Sequence, residues 1–106
     1  MIFVELSPFV GFRETNWSDE DFRELQSFLL TFPDAGDLIR GGVGLRKLRW
    51  AASGRGKRGG ARVIYYRQVP NDCIYLIYAY LKAEQDELTP RQIKTLRLLM
   101  DDSSDG

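Results

Sequence analysis

The sequence predicts one α+β domain, a small antiparallel-rich sheet of about four strands with two to three helices. Three observations carry this. Apolar residues recur at helical spacing in two stretches, Phe22 to Phe32 and Ile93 to Leu99, whereas Leu45 to Trp50, Arg62 to Gln68 and Cys73 to Leu81 read as strands. The connections between those strands are short, which favours antiparallel pairing. A chain of 106 residues has room for a single core.

Taken in order, residues 1–6 alternate weakly through Ile2, Val4 and Leu6 and predict a first strand, ended by Pro8 and Gly11. Ser18 stands three residues before Asp21, and Asp19, Glu20 and Asp21 fill the first turn that follows, close to a capping box. Phe22, Leu25, Phe28, Leu29 and Phe32 then form one apolar stripe, and Pro33 ends the helix. Residues 34–39 are expected to add a helical turn before the glycines of residues 41–44. Two strands flank a loop with four glycines and three cations, Ala51 to Gly60. Pro70-Asn71-Asp72 is a turn, and the very apolar Cys73 to Leu81 belongs inside the sheet. Thr89, with Pro90 and Gln92 behind it, caps the last helix. The domain is expected to span residues 1–100, with 101–106 a disordered polar tail. Helices are expected against one side of the sheet.

The composition excludes several chemistries. Histidine is absent, which removes the commonest general base and metal ligand; no metal or cofactor is expected. The one cysteine, Cys73, has no partner for an internal disulfide and sits in an apolar run, as a small core residue does. The N-terminal residues lack a signal-peptide pattern and no membrane span is visible, so the expected location is the cytoplasm.

A net charge of zero conceals an asymmetry. Nine basic residues and no acidic one lie between Leu38 and Asn71: Arg40, Arg46, Lys47, Arg49, Arg55, Lys57, Arg58, Arg62 and Arg67. Like charge at this density points to a polyanion-binding face. Side chains alternate along a strand, so Lys47 and Arg49 share a face with Leu45, and Arg62 shares one with Ile64 and Tyr66. In a hairpin, Lys47, Arg49 and Arg62 would converge into a phosphate site. The glycine loop is no Walker A sequence; a cationic hairpin along a nucleic-acid backbone suits it better. Tyr65, Tyr66, Tyr75, Tyr78 and Tyr80 are mostly sheet packing, with base stacking open to those at an edge. Tyr80 and Lys82 share a face, and cations beside Tyr80 would depress its pKa and make it a base.

The runs Gly44-Leu45-Arg46-Lys47-Leu48-Arg49, Gly54 to Gly60, Arg62-Val63-Ile64-Tyr65-Tyr66 and Tyr78-Ala79-Tyr80-Leu81-Lys82, with the stretch from Glu84 through the last helix, resemble toxins of the RelE/HigB branch of the RelE/ParE superfamily. The resemblance extends from about Trp17 to Leu99. It implies a RelE-like toxin fold and a type II toxin that cleaves mRNA on the ribosome, by attack of the ribose 2′-hydroxyl on the adjacent phosphate without a metal. It further implies Lys47 or Tyr80 as base, Arg62 as phosphate clamp, and Arg49 or Lys82 as charge stabiliser. Arg46, Arg55, Lys57, Arg58 and Arg67 would contact mRNA or ribosomal RNA. The implied partners are the ribosome, mRNA and an antitoxin, a small DNA-binding protein encoded nearby, with operator DNA reached only through the antitoxin complex. Two other readings stand beside it: a ParE-like gyrase poison, and a non-catalytic RNA-binding or antitoxin-partner module. Two features depart from the pattern, the absence of histidine and a last helix without an aromatic residue.

Overall fold

A computed structural model describes residues 1–51 and 60–104. Strand β1 (Ile2–Glu5) leads into helices α1 (Ser7–Asn16) and α2 (Asp19–Thr31). Strands β2 (Asp37–Leu38), β3 (Leu45–Trp50), β4 (Ala61–Gln68) and β5 (Cys73–Leu81) follow, and helix α3 (Pro90–Ser104) closes the chain. The five strands form one sheet in the order β1-β5-β4-β3-β2. Only β1 and β5 pair in parallel; the other pairs are antiparallel. The α+β class and the three long strands match the sequence reading, β3 and β5 to the residue.

The sheet has a core on each face, not one. Phe9 of α1 and Phe22, Leu25 and Leu29 of α2 pack with Leu48, Val63, Tyr65, Ile74 and Leu76. On the opposite face Leu96 and Met100 of α3 pack with Leu45, Ile64, Ile77 and Tyr80. The helices therefore cover both sides, against the one-sided arrangement expected. The reason lies in β4 and β5, where no residue is exposed whichever way it points and most are buried, and a strand buried on both faces needs a layer on each.

Three further expectations change. Pro8 and Gly11 do not end a strand but lie in α1, whose N-cap is Leu6 and whose first turn holds Pro8. A first-turn proline forfeits no helical hydrogen bond and is already at the required φ. Residues 34–39 form no helical turn. The Pro33 carbonyl accepts from the Tyr65 hydroxyl (2.9 Å), and the Gly36 carbonyl accepts from the Arg46 guanidinium (2.7 Å). With those acceptors occupied, the chain extends into β2, where Asp37 faces Lys47 and Leu38 faces Arg46. Finally, α3 continues to Ser104, four residues past the expected domain end.

Both helix starts read from the sequence are present. Ser18 Oγ accepts from the Asp21 amide while Asp21 accepts from the Ser18 amide, and Thr89 and Gln92 do the same. Each cap contributes about 0.5–2 kcal/mol.

Tyr65 is fully buried, and its hydroxyl both donates to Pro33 and accepts from the Gly36 amide at 2.9 Å. Replacing it with Phe leaves both backbone groups unpaired and is expected to cost about 1–3 kcal/mol in urea denaturation at neutral pH. Burial also pushes this phenol above its ordinary value. A raised pKa in the folded state means stability that is complete below the unfolded phenol pKa, about 10, and lost as pH rises through the folded value. Tyr65→Phe should therefore show a shallower loss of stability above about pH 10, measured by the same denaturation series.

Candidate functional site

The β3–β4 hairpin and the β4–β5 pair set three residues side by side across the sheet. Arg49 lies opposite Arg62, and Arg62 lies opposite Tyr80. One pair further along, Lys47 lies opposite Ile64, and Ile64 opposite Tyr78. Directly opposite side chains sit about 4.5–5.5 Å apart at Cβ, so this row is as close as a sheet permits.

Tyr80 reaches the row through a bulge. Ile64 pairs with Tyr78 and Tyr65 with Leu76, which leaves Ile77 as an extra residue in β5. Strict alternation from Ile74 and Leu76 would place Tyr78 and Tyr80 on the α1/α2 face. The extra residue reverses the parity, and Ile77, Tyr78 and Tyr80 all lie on the α3 face with Ile64.

A cavity of about 650 Å³ opens over this row. Lys47, Arg49, Arg62 and Lys82 line it, so four of the five expected catalytic residues meet there. Arg49 is exposed, Lys47 half-buried and Arg62 buried at 8% exposure. Arg62 donates to the Ala61 carbonyl. Neither Lys47 nor Arg49 has an ion pair among the described residues. The Lys82 amide donates to the Gly60 carbonyl (3.2 Å), tying the end of β5 to the start of β4. Gly60 has φ +63, and a Cβ there would lie 2.5 Å from the Trp50 carbonyl oxygen, so only glycine fits this corner.

The fifth residue, Tyr80, differs from expectation. Its ring is 5% exposed, and its hydroxyl is buried without a hydrogen-bond partner among the described residues. Burial pushes the phenol up, against the opposing pull of Arg62. The cations were expected to depress it; desolvation outweighs them because the ionised oxygen would have to be charged inside the sheet. The raised pKa removes the ground on which Tyr80 was expected to act as a base, and its buried hydroxyl is not among the groups lining the cavity.

Three carboxylates in the cavity were not read from the sequence: Asp37, Asp86 and Glu87. Asp86 lies 2.5 Å from the Lys82 ammonium. That hydrogen bond, then the Lys82 charge and Arg62 behind it, hold Asp86 below the ordinary carboxylate range. Its spacing of four from Lys82 was the available signal. Asp37 is placed by the β2–β3 register, which nothing in the local pattern announces. The basic block is thus partly offset by acidic residues folded onto it from outside.

Arg46 and Arg67, expected at an RNA surface, serve the other face. Arg67 pairs with Asp34 at 2.7 Å, and Arg46 reaches the same carboxylate at 3.8 Å and the Asp34 and Gly36 carbonyls. Even strand parity puts Arg46 with Leu48 and Trp50, away from Lys47 and Arg49. Both arginines hold residues 33–36 against the sheet. Arg55, Lys57 and Arg58 lie outside the described residues. Cys73 is a buried free thiol, as expected, and burial raises its pKa. Among the described residues no helix is long and apolar enough to cross a membrane.

Chemically, the arrangement offers two guanidinium and two ammonium groups lining one cavity. That is a site for an oxyanion on which charge develops. No protein-family model matches the chain.

Proposed function

We propose that the protein is a RelE/HigB-like toxin of a type II toxin–antitoxin system, a ribosome-dependent mRNA endoribonuclease. The observation that carries this is the gathering of Lys47, Arg49, Arg62 and Lys82 around one cavity, with Arg49 and Arg62 directly opposite each other in the sheet. The reaction is attack of the ribose 2′-oxygen on the adjacent phosphorus. The P–O2′ bond forms, the P–O5′ bond breaks, the 2′-hydroxyl gives up its proton, and the departing 5′-oxygen gains one.

Arg62, buried at the centre of the row, holds the non-bridging oxygens, and Arg49 adds charge as the phosphorane forms. Lys47, half-buried and lining the cavity, adds to that charge, and water carries the proton from the 2′-hydroxyl to the departing 5′-oxygen. Tyr80 is not given the base role first expected of it, because burial raises its phenol and keeps the hydroxyl out of the cavity lining. Lys82 stands at the rim, paired with Asp86. The protein would work in the cytoplasm, with the ribosome and mRNA as partners, and an antitoxin encoded nearby would neutralise it.

The test is in vitro translation with the purified protein, mapping cuts in a reporter mRNA by primer extension with and without ribosomes. Cuts within codons, seen only on translating ribosomes, are the expected result. Intact mRNA together with a folded protein that still arrests growth would overturn the nuclease reading and make gyrase the next target to assay.

A further inference from the structure

The reaction calls for cations, yet the cavity also holds Asp37, Asp86 and Glu87. The two from the β5–α3 turn are held in place by its own hydrogen bonds. The Glu84 and Gln85 amides donate to the Leu81 carbonyl (3.0 and 3.2 Å). The Gln85 side-chain amide donates to the Glu87 carbonyl (2.8 Å) and to Gln92 Oε1 (2.6 Å), and Gln92 is itself part of the α3 cap. Asp86, 82% exposed, reaches back to Lys82. An exposed pair of this kind contributes little to stability, about 0–1 kcal/mol, so its importance is where it puts the charge.

We infer that this acidic turn selects the charge of the phosphate the site accepts, admitting a singly charged phosphodiester and rejecting doubly charged phosphate monoesters. The inference rests on the phosphodiester-cleavage reading above. Among the described residues, four cations, Lys47, Arg49, Arg62 and Lys82, face three carboxylates across the cavity, a formal balance of one positive charge. One internucleotide phosphate neutralises it. A terminal phosphate or a free nucleotide carries about −1.5 to −2 at neutral pH, and its second charge meets the Asp86 and Glu87 carboxylates that line the cavity. A nuclease built this way keeps free nucleotides and phosphorylated ends out of a site that four cations alone would hold for them.

The test uses two probes with one phosphate each, a 2′-O-methyl dinucleoside monophosphate (a diester) and a 2′-O-methyl nucleoside 3′-phosphate (a monoester). Each is titrated into the full chain at pH 7.5, and Kd is read from the Arg49 and Arg62 guanidinium NMR resonances. The wild type should bind the diester more tightly. Asp86→Asn and Glu87→Gln should each shift the Kd ratio toward the monoester by about three- to tenfold, the scale of one like charge near a protein surface. An unchanged ratio in both variants, with the wild type still binding the diester at Arg49 and Arg62, overturns the inference and leaves the phosphodiester site standing. If neither probe perturbs those resonances in the wild type, the phosphodiester reading itself falls, and this inference with it.

Discussion

Arg62→Ala is expected to lower ribosome-dependent mRNA cleavage by about a hundred- to a thousand-fold while the protein still folds. That is the usual loss when one donor to a developing oxyanion is removed. Arg62 is singled out from the other cations by position. It is central in the Arg49–Arg62–Tyr80 row and only 8% exposed, so its charge acts through less water than that of exposed Arg49. Its fork also matches two phosphate oxygens at once, which an ammonium does not. Arg62→Lys should therefore recover only part of the activity. Primer-extension rates and growth arrest, each beside a urea denaturation curve, decide the matter. Unimpaired growth arrest by a folded Arg62→Ala variant would remove Arg62 from the phosphate site.

For stability, the largest single effect is expected at Phe9. Phe9→Ala should cost about 3–5 kcal/mol by urea denaturation, as large-to-small changes at fully buried aromatic sites do. The ring is completely buried. It packs edge-on to Trp17 and tilted against Phe22, with centroids 6.0 and 5.8 Å away. Through Phe22 it joins α1 to α2, and Arg13 lies 4.3 Å over the Phe22 ring while pairing with Glu5 of β1. A cost below about 1 kcal/mol would mean that α1 is peripheral, since such values belong to surface substitutions.

Phe9 is also where local reasoning was weakest. Pro8 and Gly11 are turn residues by type, and α1 has only a modest apolar stripe, so nothing nearby marks a helix. What makes α1 a helix is the apolar pocket that Phe9 fills against the sheet, together with a proline that happens to sit in the first turn. The same division appears at residues 34–39. Their composition suits a helical turn, but Tyr65 and Arg46, remote in sequence, take the carbonyls that such a turn would use.

The cationic site divides in a similar way. Lys47, Arg49 and Arg62 were legible because a strand has a period of two and a short hairpin brings like parities together. The capping boxes at Ser18 and Thr89 were legible because each is complete within four residues. Strand pairing then decided what no local pattern contains. The bulge at Ile77 turned Tyr80 toward Arg62, the β2–β3 register placed Asp37 beside Lys47, and the parity of β3 and β4 sent Arg46 and Arg67 to the opposite face. Burial also raises the Tyr80 pKa where cations were expected to lower it, since proximity to cations can be read from spacing but desolvation depends on everything packed around the ring. By itself, then, the sequence determined the α+β class, the three long strands, two helix starts and the face on which the cations gather, because these follow from local periodicity and capping. Only the tertiary structure decided the two-sided core, α1, the carboxylates within the cavity and the burial of Tyr80, because each depends on contacts between residues far apart in the chain.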